Sequence, residues 1–153
     1  MTIISVGERA PEFTLPGTGG RLYALAELRG APVVLAFYPA DGSPVCSIQL
    51  PDYSLDIGAF RELGATLLAI SPQGVESHDE FARQLGLAFP LLADTDMAVA
   101  RAYGTIGPLG FYRRAVVVID AEGIVRHARR TLGYAYPSSD SVLAAVREAL
   151  VSA

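Results

Sequence analysis

Apolar residues gather in a few short, dense runs separated by polar or glycine-containing stretches. The most continuous is Val33-Val-Leu-Ala-Phe-Tyr38, rich in β-branched and aromatic residues and too short for a helix, which predicts a buried strand. Thr66-Leu-Leu-Ala-Ile70 and Arg114-Ala-Val-Val-Val-Ile-Asp120 read the same way. Residues 12–16 and 21–24 predict two short strands joined by a turn at Gly17-Thr-Gly-Gly20, and Ala26 to Leu28 a helical turn ended by Arg29-Gly30. Elsewhere the spacing is helical. Phe81 and Leu85 share one face of a helix from about Glu76 to Leu85. Val142, Val146 and Leu150 do so in a final helix from Ser139 to Val151, with Ser138 to Asp140 as capping candidates. Between them lie a short extended piece, Phe89-Pro-Leu-Leu92, and a short helix from Asp96 to Tyr103 capped by Asp94 or Thr95. A glycine- and proline-containing loop, Gly104 to Gly110, follows. Gly123-Ile-Val-Arg-His-Ala128 then predicts the second arm of a hairpin with residues 114–120.

A further helix is expected to begin near Ser43 and to kink or widen at Pro51, which cannot donate to the Ser47 carbonyl, before continuing through Ile57, Phe60 and Leu63. The order is then a β-hairpin, β-α-β-α, a helix with a second hairpin, and a helix. That order predicts an α/β chain: a mixed central sheet with helices on both faces and an N-terminal β-hairpin, in a single domain spanning 1–153.

Composition narrows the chemistry. The 153 residues are 51% hydrophobic and 18% charged, as in a globular chain with a real core. No apolar run reaches the ~18 residues of a membrane span, and the first ten residues lack the basic-then-apolar pattern of a signal peptide. A single cysteine rules out an internal disulfide and favours a reducing, cytoplasmic setting. All 12 basic residues are arginine, which excludes Schiff-base chemistry and a phosphate-loop lysine. With one cysteine and two histidines, His78 and His127, a zinc site would need carboxylates to complete it, so neither metal nor cofactor is expected. A net charge of −4 argues against nucleic acid as a partner, and Arg126, Arg129 and Arg130 read as a solvated face rather than a phosphate site.

The lone cysteine, Cys46, lies just past the strand that ends at Tyr38, where open α/β sheets place their ligand sites. Ser43 reads as an N-cap and Pro44 as the first helical residue, which makes Cys46 the third. Free backbone N–H groups and the helix dipole there favour a thiolate. Such a thiolate can attack a disulfide, an acyl carbon or an O–O bond. Disulfide exchange of the thioredoxin kind uses two cysteines. Acyl chemistry wants a histidine base, and nothing in the sequence positions His78 or His127 beside Cys46. Peroxide reduction needs only the thiolate, a cation and hydrogen-bond donors, and arginine supplies a cation that never loses its proton.

Pro39-x-x-x-Ser43-x-x-Cys46 resembles the active-site signature of the peroxiredoxins, the alkyl hydroperoxide reductase and thiol-specific antioxidant family. The likeness extends over almost the whole chain. Val6-Gly-Glu-Arg-Ala-Pro-Glu-Phe-Thr-Leu15 resembles the family's opening G-x-x-A-P-x-F-x-L, Phe89-Pro-Leu-Leu-Ala-Asp94 its F-P-L-L-x-D segment, and Ala102-Tyr-Gly104 the piece that follows. Arg114, six residues before Asp120, is similar to the family's active-site arginine.

The resemblance implies a thioredoxin-like fold and a thiol-dependent peroxidase acting on hydrogen peroxide and organic hydroperoxides. Cys46 would be the peroxidatic residue that becomes a sulfenic acid, Ser43 would offer a hydroxyl, Pro39 would shield the pocket, and Arg114 would hold the thiolate. Backbone N–H groups near Val45 and Cys46 would complete the donor set. The chain resembles a one-cysteine member, similar to the bacterial bacterioferritin-comigratory and alkyl hydroperoxide reductase E groups. An external thiol, either a small molecule or a thioredoxin- or glutaredoxin-like protein, would then reduce the sulfenic acid, in a monomer or a homodimer. Three departures stand out. Gly42 replaces a frequent aromatic residue, Gln49 a frequent glutamate, and Pro51 stands where one subgroup has its resolving cysteine. The competing reading is a non-catalytic thioredoxin-like module that senses oxidants or binds a partner.

Overall fold

The computed structural model describes residues 2–131 and 135–152. Its strands are β1 (Thr14–Gly17), β2 (Arg21–Ala24), β3 (Val33–Phe37), β4 (Thr66–Ser71), β5 (Leu91–Ala93), β6 (Ala115–Ile119) and β7 (Val125–Arg130). Its helices are α1 (Cys46–Leu55), α2 (Ile57–Glu62), α3 (Val75–Leu85), α4 (Ala98–Tyr103) and α5 (Ser139–Ser152). All the strands join one sheet in the order β2-β1-β5-β4-β3-β6-β7. β4 runs parallel to β3 and β5, while β6 pairs antiparallel with both β3 and β7. The hairpin of β1 and β2 lies antiparallel at the far edge, joined to β5 through Gly17 and Leu92. This is the expected mixed sheet of a thioredoxin-like fold, with an N-terminal hairpin.

The continuous apolar runs form strands because they are buried on both faces. In β3, Val34 and Ala36, followed by Tyr38, pack with Leu50 and Tyr53 of α1, Phe60 of α2, Phe81 of α3 and Val142 and Val146 of α5. Val33, Leu35 and Phe37 face the other way, against Phe13, Val99 and Tyr103. β6 alternates in the same register: Val116 and Val118 face α1, while Ala115, Val117 and Ile119 face α4. Side-chain parity along β6 therefore decides which neighbouring residues reach the α1 side.

Several boundaries depart from the sequence expectation. The first strand starts at Thr14 rather than residue 12, and the tight turn is Thr18–Gly20, with left-handed Gly19 and Gly20 (φ 78° and 68°) making the reversal. Pro51 is held inside α1, and the helix instead breaks at Asp56 (φ −98°, ψ 13°). The break is stabilised through both the backbone and the side chain of Asp56. The Asp56 carbonyl accepts the Ala59 and Phe60 N–H groups that start α2, and its carboxylate accepts the Ser139 hydroxyl from α5. α4 starts at Ala98, two residues late, yet Asp94 caps it as expected: its carboxylate oxygens accept the Val99 and Ala100 N–H groups at 3.1 and 2.9 Å. Ser138 caps α5 through the Ser141 N–H at 3.2 Å. No helix among the described residues is long and apolar enough to cross a membrane.

Candidate active site

The segment 38–45 carries the chain from the end of β3 to α1. Regular helix begins at Cys46, two residues later than the sequence suggests. Ser43 is nonetheless the cap: its carbonyl accepts the Ser47 N–H at 2.9 Å and its Oγ accepts the Cys46 N–H at 3.3 Å. Pro44 and Val45, the latter with helical dihedrals (φ −72°, ψ −40°), form a lead-in turn. The Cys46 N–H is thus engaged by Ser43 and is not a free donor. The Ser43 hydroxyl keeps its own proton to give.

Cys46 is a free cysteine with no solvent exposure. Facing it from the position just before β6 is Arg114, only 5% exposed, whose Nη2 donates to Cys46 Sγ at 3.1 Å. Arg114 has the parity of Val116 and Val118 and so points to the α1 side. Arg113 points away, toward Gly107, and its backbone N–H donates to Thr105 at 2.6 Å. A buried guanidinium needs acceptors. Besides the sulfur, Arg114 donates through Nη1 to Gln49 Oε1. Gln49 in turn donates from Nε2 to Tyr53 OH at 3.1 Å, and Tyr53 donates to the Pro137 carbonyl at 2.6 Å. Burial raises the Tyr53 hydroxyl to a pKa of about 12, so it stays a donor. Cys46, Gln49 and Tyr53 recur every three or four residues, which lines them along one face of α1. Arg114 Nε is buried and has no acceptor among the described residues.

A cysteine at a capped helix start, touched by a buried arginine, can be set beside known proteins. A sequence profile of the AhpC/TSA family matches residues 6–128. The chain belongs to the AhpC/TSA family. A Mycobacterium tuberculosis protein assigned to the peroxiredoxins is 37% identical over 125 residues, covering 82% of this chain and 76% of that one. The chloroplastic peroxiredoxin Q of Oryza sativa subsp. japonica is 35% identical over 126 residues, covering 81% and 58%. Among solved structures, the bacterioferritin comigratory protein of Xanthomonas campestris, a protein with alkyl peroxide reduction activity, superposes with a TM-score of 0.83 at 32% identity, over 89% of this chain and 90% of that one. Thiol-dependent peroxidase activity goes with membership in this family, and the chain is an oxidoreductase of the peroxiredoxin type.

The site residues inferred from sequence fall together in part. Cys46, Ser43 and Arg114 meet through the bonds described above. Pro39 lies half-buried in the segment that leads from Tyr38 to Ser43. Gly42 is exposed in a left-handed conformation (φ 77°) with open space around it. His127 is on β7 and half-buried; burial, then the charge of Arg129, lowers its pKa below the usual histidine value. Arg126 pairs with Asp120 at 2.7 Å, so that part of the arginine cluster serves the β6–β7 turn. Sequence reasoning missed two features. Tyr53 had a readable signal, its position four residues after Gln49 on an α1 face. The bond between Asp41 and His78 did not, because it joins residues 37 apart.

Proposed function

We propose that Cys46 is the peroxidatic residue and that Arg114, Ser43 and Pro39 serve it. The observation that carries the assignment is the 3.1 Å contact from Arg114 to Cys46 Sγ at the Ser43-capped start of α1. The Cys46 thiolate attacks one peroxide oxygen. An S–O bond forms, the O–O bond breaks, and the departing oxygen leaves as water or an alcohol after taking a proton, with Cys46 left as a sulfenic acid. Arg114 holds negative charge on the sulfur, and its free Nε–H is a donor for the peroxide oxygens. Ser43 offers its hydroxyl proton to the same oxygens. Pro39 keeps water off the loop. Gln49 fixes the guanidinium without neutralising it, because an amide accepts a hydrogen bond but carries no charge.

The chain has no second cysteine, so the sulfenic acid is reduced by an external thiol. That thiol forms a mixed disulfide at Cys46 with release of water, and a second thiol then frees the enzyme. The reductant class is a low-molecular-weight thiol or a thioredoxin- or glutaredoxin-like protein, and the substrates are hydrogen peroxide and organic hydroperoxides. The working unit is one domain, as a monomer or homodimer, in a reducing cytoplasmic setting suited to a lone free thiol. The test is turnover of hydrogen peroxide and cumene hydroperoxide with excess dithiothreitol. Activity is expected in the unaltered protein and none above background in Cys46→Ser, which exchanges one sulfur for one oxygen. Comparable turnover by both would overturn the assignment.

A further inference from the structure

A second polar cluster, built on buried Tyr38 and His78, lies beside the segment 38–45. Asp41 belongs to that segment, and its carboxylate collects donors from separate parts of the chain. Tyr38 OH donates to Oδ1 at 2.6 Å, Ser77 Oγ of α3 donates to Oδ2 at 2.6 Å, and His78 Nδ1 of α3 lies 2.7 Å from Oδ2. His78 is fully buried, and its Nε2 lies 2.9 Å from the Leu92 carbonyl of β5. The Asp41 N–H is held as well, donating to Gln73 Oε1 at 2.9 Å.

The protons can be assigned from these partners. A carbonyl oxygen only accepts, so Nε2 carries a proton. Burial pushes the Asp41 carboxyl up, but hydrogen bonds from His78, Ser77 and Tyr38 and the attraction of His78 outweigh it and hold the group below the usual carboxylate range. An ionised carboxylate also only accepts, so Nδ1 carries a proton too. Burial first, then the Asp41 charge, raises the Tyr38 hydroxyl far above its ordinary value, which keeps it a donor. His78 is thus a two-handed donor, bonded to the sheet through one nitrogen and to the segment before Cys46 through the other.

We propose that His78 is a positioning residue for peroxide reduction: by donating from both ring nitrogens it ties Asp41 to the β5 backbone and thereby fixes where Ser43 and Cys46 stand. This rests on the assignment of Cys46 as the peroxidatic residue. Asp41 stands two residues before the cap and five before the thiol. Gly42 between them is left-handed, with open space where a Cβ would stand, and the Asp41 side-chain and N–H bonds constrain this side of the loop. The same bonds hold the loop that leads into a thiol with no exposure of its own.

Two substitutions separate the two hands of the imidazole. His78→Asn keeps an amide donor near the Nδ1 position, toward Asp41. His78→Gln keeps one near Nε2, toward Leu92, and releases Asp41. Two rates at Cys46 are measured in each variant: oxidation by hydrogen peroxide and alkylation by iodoacetamide. His78→Gln is expected to slow oxidation at least tenfold and to speed alkylation at least threefold, because the thiol is uncovered while its alignment is lost. His78→Asn, which keeps the bond to Asp41 but loses the anchorage on β5, is expected to show the same two opposite changes, each smaller than in His78→Gln. Rates in His78→Gln that are unchanged, or that fall together, would overturn the proposal, as would equal damage in the two variants. Nitrogen-15 NMR of the unaltered protein gives an arm independent of variant folding. Protons on both His78 ring nitrogens are expected, and a proton on one alone would overturn the clamp. If the unaltered protein fails to react with peroxide, the peroxidatic assignment falls, while the alkylation and NMR arms still judge the clamp.

Discussion

Replacing Arg114 tests the electrostatics of the site. Arg114→Ala removes the donor 3.1 Å from Cys46 Sγ and also leaves Gln49 Oε1 without its partner. A hydrogen bond involving a charged group contributes about 1.5–3 kcal/mol net. If that stabilisation is realised in the transition state, its loss slows peroxide attack by roughly 10- to 150-fold. The cavity left by the side chain does not restore the charge. Arg114→Lys keeps a cation but not the planar fork that reaches sulfur and amide together, so it should recover only part of the loss. Arg113→Ala is the control, because strand parity turns Arg113 to the other face of β6, and it should stay within about threefold. The assay is stopped-flow oxidation of the reduced protein under excess hydrogen peroxide, with circular dichroism to confirm that each variant is folded. A folded Arg114→Ala variant oxidised within threefold of the unaltered protein would refute the reasoning. So would a larger effect at Arg113 than at Arg114.

Three further outcomes follow from other parts of the molecule. Tyr53→Phe removes the hydroxyl that joins Gln49 to the Pro137 carbonyl and leaves both buried groups short of a partner, at a cost of about 1–3 kcal/mol. A melting curve should show a fall of a few degrees, and an unchanged midpoint would contradict the relay. His127 has its pKa lowered in the folded protein, so the unfolded chain binds the extra proton first as pH falls. Stability is therefore undiminished above the ordinary histidine value near ~6.5 and is lost as pH drops from there toward the folded value. His127→Gln should flatten that loss in urea titrations at pH 5 and leave pH 8 unchanged; equal effects at both would contradict the sign. Gly104 closes α4 in a left-handed conformation (φ 73°) with the Thr2 carbonyl against the position of a Cβ, so Gly104→Ala should lower thermal stability more than the same change at open, exposed Gly58. The reverse order would show that the N-terminal segment yields easily.

Much of the fold is legible in the sequence because its central strands, β3, β4 and β6, are apolar on both faces. Val33 to Tyr38 can be read as a strand without knowing its partners, since no polar residue breaks the run. Helix boundaries are less legible. Pro51 is the strongest breaker in the α1 segment, yet the break falls at Asp56, where a carboxylate from this segment meets Ser139 from the far end of the chain. That contact is tertiary and leaves no local mark. The candidate site divides the same way. Ser43 and Cys46 are neighbours in sequence, and a cap three residues before a thiol has a physical meaning on its own. Arg114 comes through the family resemblance, and parity then distinguishes it from Arg113. The Asp41–His78 bond is illegible, because Asp41 lies 37 residues before His78 and no periodicity unites it with the Ser77–His78 pair.

The central claim is that Cys46 is oxidised directly by peroxide to a sulfenic acid that nothing else in the chain can resolve. Intact-mass analysis of the reduced protein, treated with one equivalent of hydrogen peroxide in the presence of dimedone, tests it most directly. A single dimedone adduct that maps to Cys46 and forms as the peroxide is consumed is the expected result, with no adduct in Cys46→Ser. Peroxide that is left unconsumed, or that disappears while Cys46 stays a free thiol, would contradict the account.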